Sequence, residues 1–294
     1  MMGRIHATSA NDRDVGQGGY ALVSVLWLLG LLAAALASMS VFTVNSLSVV
    51  WTASDRAAAE ALVRAAMEAS SLDVARLDQA LPVRGRTQVS LRTGRARADW
   101  IGEAGRIDVN LASPELLAGL FQRFGAGSSE AQSYAALVVR RRQATADRGG
   151  AGPFGHLDEL ARTGLPAALV ERVRPFATVY GGAPGIDPRL ASREVLAALP
   201  GMTQASLRTM LELQAANESV LTKWTSAAGD AGRFLSLDRG GSVRTRIVAR
   251  LANGYRSEAE VASVAFLDDS EPYRVLSWNE APPALPAASA DDEP

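Results

Sequence analysis

From Val15 to Ser54 the chain carries forty positions without one charged side chain, and no other feature narrows its possible folds as much. Tyr20 to Val44 is dominated by Leu, Val, Ala, Phe and Trp. As a helix this segment spans roughly 37 Å at ~1.5 Å per residue, longer than a bilayer core of about 30 Å. A buried core helix rarely runs so far, so the expectation is a membrane-spanning or export segment over 20–44.

Two other readings of the same stretch compete with it. Gly16-x-Gly18-x-x-Ala21 fits the glycine pattern of a dinucleotide loop. That loop needs a preceding strand and an acidic residue about 20 positions on. Here the preceding residues are polar without strand alternation, and the next acidic residue is Asp55, which excludes the cofactor loop. A cleaved secretory signal is the stronger rival, because Ala35-Leu36-Ala37 before Ser38 matches a small-x-small cleavage pattern. Against it, the lead-in balances Arg4 and Arg13 with Asp12 and Asp14. Good helix formers also continue without Gly or Pro from Leu31 to Leu81. In the second half of that run Ala58, Leu62, Ala65, Ala69 and Leu72 recur at three- and four-residue steps, predicting an amphipathic face. One continuous helix is expected, apolar at its start and amphipathic at its end.

Beyond Pro82 the pattern changes. "RTQVSLR", "ARADWIG" and "GRIDVN" read as short strands, as do "GRFLSL", "VRTRIVARLANG", "AEVASVAFLDD" and "YRVLSWN" near the other end. Val243, Thr245, Ile247 and Ala249 alternate with Arg244, Arg246, Val248 and Arg250, a half-exposed strand whose arginines are expected on its solvated face. Between these β regions lies a helical block, about 109–220, with an internal repeat. "IDVNLASPELLAGL" (107–120) and "IDPRLASREVLAAL" (186–199) agree at nine of fourteen positions. Ser113 and Ser192 are placed as helix N-caps, Pro114 suits a first helical position, and Glu115 and Glu194 suit the positive end of the dipole. "LPGM" (199–202) breaks the second copy before helix resumes, and Gly164-Leu165-Pro166 makes a related break, so both regions read as helix-hairpin-helix elements.

A polar leader ending in glycine, followed by an aromatic-led apolar helix that turns amphipathic, resembles the type IV pilins and pseudopilins. The resemblance implies cleavage by a prepilin peptidase between Gly19 and Tyr20, with Tyr20 the N-methylated first mature residue. Most relatives carry Glu at the fifth mature position, where this chain has Ser24. That departure, the start "ALVSVLWLLGLLAA" and the Asn-x-Ala-Ser run in "GRIDVNLASPELL" resemble the minor pseudopilin K subfamily of type II secretion systems. What the resemblance implies is an α+β fold: a long N-terminal transmembrane and amphipathic helix, a pilin-like domain with an antiparallel sheet, and an inserted all-α helix-hairpin-helix-like domain. The expected organisation is leader 1–19, transmembrane helix 20–44, amphipathic helix and first strands 45–108, helical insertion 109–220, returning strands 221–280 and a Pro/Ala-rich, acidic tail 281–294 expected to be disordered. The implied setting is the inner membrane with the C-terminal domain periplasmic, in a pseudopilus tip with minor pseudopilins I and J and other pseudopilins.

The hairpins supply an alternative from another class, a membrane-anchored DNA-binding protein of competence type. Such hairpins bind phosphate through backbone N–H groups beside glycines and a basic residue; after Gly201 this chain has Met202, Thr203 and Gln204. Arg140, Arg141 and Arg142 could form a basic patch or simply a helix end, and the net charge of −1 gives no general attraction for nucleic acid. An enzyme reading has little to stand on. There is no cysteine, which removes thiolate chemistry, and the only histidines are His6 and His156. His156 reads as a loop or helix-start residue, and the sequence holds no phosphate loop, zincin or nucleophile-elbow motif. Calcium is implied as possible by the family. Asp268, Asp269 and Glu271 are the densest oxygen cluster, with Asp230 and Asp238 earlier, and solvated turns are the competing explanation.

Overall fold

The computed structural model describes residues 17–77, 83–146, 154–265 and 273–280; the side chains of 17–21, 37, 39–52, 145–146 and 265 are outside that description. Two compact units divide the chain, 1–57 and 58–294. Helix α1, Gln17–Arg76, begins in the first of them. Within 22–36 its apolar side chains are exposed: Leu22 is 67 % exposed, Trp27 75 % and Leu31 72 %. Among the described residues no helix is long and apolar enough to cross a membrane. The described side chains of the expected 20–44 span are those of 22–36 and 38, and the leader 1–16 lies outside the described residues.

In the second unit the remainder of α1 lies on an antiparallel sheet. Ala59, Leu62, Val63, Ala66 and Met67 are buried against Ala96, Ala98, Ile247, Ala249 and Val261. The buried face is therefore rotated from the stripe expected in the sequence: Leu72 is 48 % exposed, and Ala65 and Ala69 are half-buried. Alanines occupy every side of this helix and cannot set its phase, so the larger Leu62, Val63 and Met67 decide it. Ser70 and Ser71 complete the face, each hydroxyl donating to the Met67 carbonyl at 2.9 Å, which satisfies two polar groups that burial would otherwise penalise.

The sheet runs β1 (Arg84–Leu91), β2 (Gly94–Gly102), β5 (Ser242–Leu251), β6 (Arg256–Ala265) and β7 (Tyr273–Asn279), in that spatial order. All its pairings are antiparallel, with a register shift in the last at Ala262/Ser263. Burial alternates along β5 as the sequence suggests, with Val243, Thr245, Ile247 and Ala249 inward. Gly102 is directly opposite Val243. Everything between β2 and β5 therefore leaves and re-enters the sheet from neighbouring positions.

That excursion holds the helices α2 (Pro114–Arg123), α3 (Ser128–Ala146), α4 (Glu159–Arg162), α5 (Ala167–Val173), α6 (Arg193–Ala197), α7 (Gln204–Ala215) and α8 (Leu221–Ala228). It has its own core, centred on Leu116, Leu120, Phe121, Leu196, Met210 and Trp224. "GRFLSL" is not the strand expected. Gly229–Phe234 forms a 3-10 turn, and only Leu235 pairs, with Ile186. Gly232 lies so close to α8 that an added Cβ would be 2.7 Å from the Thr225 carbonyl, so this segment is pressed to a helix and kept from extending.

The repeat in the sequence is a repeat in the structure. Ile107 opens β3 (Ile107–Asp108), which pairs in parallel with β4 (Ala177–Thr178), and Ile186 makes a parallel bridge to Leu235. The following aspartate of each copy is buried and turns the chain. Asp108 Oδ1 accepts from Asn110 N–H at 2.7 Å, and Asp187 Oδ1 from Arg189 N–H at 2.9 Å. Ser113 then accepts from Leu116 N–H, and Ser192 from Val195 N–H, starting α2 and α6 as the sequence predicts. The copies differ at Gly119 and Ala198, where they meet. A Cβ on Gly119 would sit 2.3 Å from the Ala198 carbonyl, so only glycine allows this approach.

Candidate functional site

Among the described residues, two surface features and one buried seam of charge stand out. On α1, Trp27 and Leu31 stand beside Gly30 and Ala34 and form a shallow notch among exposed apolar side chains. A bulky side chain flanking small ones on one helical face is the shape that lets another helix pack closely. Ser24 is exposed on the same helix. Gly19 and Tyr20 have helical backbone in α1, and their side chains lie outside the described residues.

The larger surface feature is a groove of ≈ 910 Å³ on the helical insertion. One wall is α2 and α3, through Ala118, Gly119, Ala135 and Val139, and the other is the end of α6 with Leu199, Pro200 and Gly201. The repeat builds it: both copies end here, and their close contact at Gly119 sets its floor. Arg123 and Arg140 also line it. Gly201 has φ +82° and Gly164 φ +101°, the left-handed conformation that turns the chain between α6 and α7 and between α4 and α5. Thr203 caps α7 by accepting from Ser206 N–H at 3.1 Å, so that helix terminus is already capped by its own chain.

Beneath the insertion runs a seam of buried charge. Arg244 of β5 donates through Nε to Glu103 at 2.5 Å and through Nη1 to Glu260 at 2.5 Å. Arg244 is 13 % exposed and Glu103 fully buried, which corrects the expectation that the arginines of β5 are solvated. Arg246 and Arg250 are partly or fully exposed, but Arg244 lies at the end of the face that the insertion covers. Burial on its own would push the Glu103 carboxyl up; Arg106 and Arg244 more than offset it and hold it below the usual carboxylate range. Burial pulls Arg106 down, whereas Arg244 is raised because Glu103 and Glu260 outweigh its own burial. A cleft of ≈ 410 Å³ opens over this seam, lined by Arg106, Arg174, Tyr180 and Trp278.

The other expected residues have plain roles. His156 is exposed in the bend before α4. The three consecutive arginines do not form one patch. Arg142 donates to the Val109 and Ala112 carbonyls at 2.7 Å, Arg141 approaches Glu159 at 4.0 Å, and Arg140 lines the groove. Asp238 accepts from Gly240 N–H in a turn, and Asp230 packs at Gly201. Asp268, Asp269 and Glu271 lie outside the described residues, and among the described residues no group of three could hold a metal ion. Asn110, marked in the sequence only as the start of the Asn-x-Ala-Ser run, ties together distant segments through its side chain, a role the sequence did not suggest. Its Nδ2 donates to the Phe154 and Val179 carbonyls, and its Oδ1 accepts from Phe154 N–H. The signal available was the asymmetry of the repeat, Asn110 in one copy against Arg189 in the other.

No family model matches the chain, and no curated protein matches it. A solved chain in the crystal structure of the GspK-GspI-GspJ complex from the enterotoxigenic Escherichia coli type 2 secretion system is similar in fold. It is 13 % identical, with a TM-score of 0.52 over 81 % of this chain and 100 % of that one. An α+β fold with an antiparallel sheet and a pseudopilin-like arrangement is thereby supported.

Proposed function

We propose that this protein is a minor pseudopilin of a type II secretion system, working in the pseudopilus tip to support export across the outer membrane. The observation that carries the reading is helix α1: exposed apolar side chains at its beginning and, in the same helix, a face that seals an antiparallel sheet. A chain built this way needs a lipid or helical environment for one end and water for the other. The likeness to a chain of the GspK-GspI-GspJ complex supports the same reading.

In this reading the protein is anchored once in the inner membrane, with residues beyond α1 in the periplasm. A prepilin peptidase cleaves between Gly19 and Tyr20, and the new N-terminus is methylated. The notch at Gly30 and Ala34 receives sister helices, and the partners at the tip are minor pseudopilins I and J. The helical insertion is bulky enough to obstruct addition of a further subunit above it, which suits a terminal position. Ser24, where most pseudopilins carry Glu, belongs to the same logic, since a terminal subunit has no neighbour above it whose N-terminus needs a carboxylate.

The test is intact-mass analysis of the mature N-terminus in cells with and without prepilin peptidase. A start at Tyr20 that depends on the peptidase is the expected result. A start at Ser38 in both strains would overturn the proposal in favour of an exported soluble domain.

A further inference from the structure

The face of the sheet turned away from α1 carries a line of like charges. Register puts Ser90 opposite Arg95, Arg95 opposite Arg250, and Arg250 opposite Arg256, one residue from each of four adjacent strands. All four residues are exposed, as is Arg92 in the turn joining β1 to β2. Directly opposed like charges on neighbouring strands destabilise a sheet. Arg256 pairs with Glu258, whereas Arg92, Arg95 and Arg250 have no ion-pair partner among the described residues. The insertion covers the other end of this face, where Arg244 is neutralised, and leaves this end open. Three neighbouring arginines without a carboxylate partner, beside a fourth that has one, are a site for anionic groups.

We propose that the occupant is the acidic segment of this chain's own tail, around Asp291, Asp292 and Glu293. Three observations single it out. First, direction: β7 runs antiparallel to β6 and ends with Asn279 opposite Glu260, so the chain leaves the sheet heading along β6 toward Glu258 and Arg256. Second, reach: Arg256 is four residues further along β6, about 13 Å, and each further strand adds about 4.8 Å. The twelve residues from Asn279 to Asp291 extend to about 40 Å, enough to arrive with slack. Third, charge: three carboxylates within three residues meet Arg95, Arg250 and Arg92, the cations left without partners. Attachment to the same chain gives the tail an effective concentration in the millimolar range, so weak exposed ion pairs suffice to occupy the face. The stretch 281–288 holds three prolines and no charge, so it brings no carboxylate or cation of its own to the arginines.

The absence of cysteine makes the test direct. In the full chain, in detergent micelles, Ser90→Cys is combined with Ala290→Cys, and disulfide formation under mild oxidation is followed. The control pairs Ala290→Cys with Thr209→Cys on the exposed side of α7. The Ser90 pair is expected to close about tenfold faster than the control at about 0.02 M salt. That advantage should be lost at about 0.5 M salt, where screening is strong. Arg95→Gln with Arg250→Gln should abolish it at low salt too. Equal rates for both pairs, an advantage insensitive to salt and to the arginine substitutions, or a disulfide that forms only between molecules would each overturn the proposal.

Discussion

Replacing Arg244 with Met removes a cation that touches both Glu103 and Glu260 while keeping most of its apolar stem. Each pair has an N–O distance of 2.5 Å in a setting where Glu103 is 0 % exposed. At an effective dielectric of about 20, charges about 4 Å apart attract by about 4 kcal/mol. Much of that is offset by the desolvation the pair already suffers, so the attraction itself is not the net stabilisation. Deleting one member leaves buried carboxylates without their partner, a change that costs about 3–5 kcal/mol. For a domain of this size each kcal/mol moves Tm by about 2–4 °C, so Arg244→Met should lower it by about 6–20 °C in thermal circular dichroism of the full chain at neutral pH. Glu103→Gln combined with Arg244→Met should recover a large part of the loss. The pH dependence has a fixed sign. The Glu103 carboxyl is held below its unfolded value, chiefly by Arg106 and Arg244 working against burial. Its stabilisation is therefore complete above about pH 4.5 and disappears as pH falls through the lower folded value. The gap between the natural protein and Glu103→Gln should narrow over that acid range. A Tm change under about 2 °C for Arg244→Met, or a double variant no more stable than the single one, would refute the argument that the seam is coupled and buried.

Asn110→Ala removes three hydrogen bonds that join α2's approach to residues 154 and 179; a loss of about 2–3 kcal/mol and faster amide exchange at Phe154 are expected in denaturant titration and exchange measurements. Gly119→Ala reverses the usual sign for a helix interior. Alanine ordinarily gains about 1 kcal/mol there, but the Cβ clash with the Ala198 carbonyl should make it destabilising by about 1–3 kcal/mol. Ser24→Glu should reduce secretion several-fold by favouring internal over terminal placement in the pseudopilus, and unchanged secretion would remove residue 24 from any part in placement.

Local chemistry was readable in the sequence, and long-range cover was not. Ser113 and Ser192 act within three residues of themselves, so their spacing sufficed to identify them as caps. The alternation in β5 was equally visible, because period two is a property of the strand alone. What alternation cannot say is which part of an outward face another element covers. Arg244 and Arg246 look equivalent in sequence, yet only the first lies against Glu103. Likewise the stripe on α1 was misjudged in phase because alanine is small enough for either side. The buried aspartates of the repeat were present in both copies, but an aspartate after a short strand is also an ordinary turn residue. Its burial depends on Gly182, which donates to Asp108 at 2.9 Å from far along the chain.

The opposition of Gly102 and Val243 has a consequence for how this chain reaches its native state. Topologically, residues 103–241 are the turn of a β-hairpin, though their described residues include seven α-helices. Closing a flexible loop of that length carries an entropic cost of about 4 kcal/mol by the logarithmic scaling, and pairing of β2 with β5 would be slow if it had to wait for chance encounter. Helices and their short-range contacts form faster than distant strands meet. A helical block that condenses first brings its own ends together and turns a distant pairing into a local one. In that order of events the insertion acts as an internal template for the sheet, and a weakness in its core would appear first as slow or failed strand pairing.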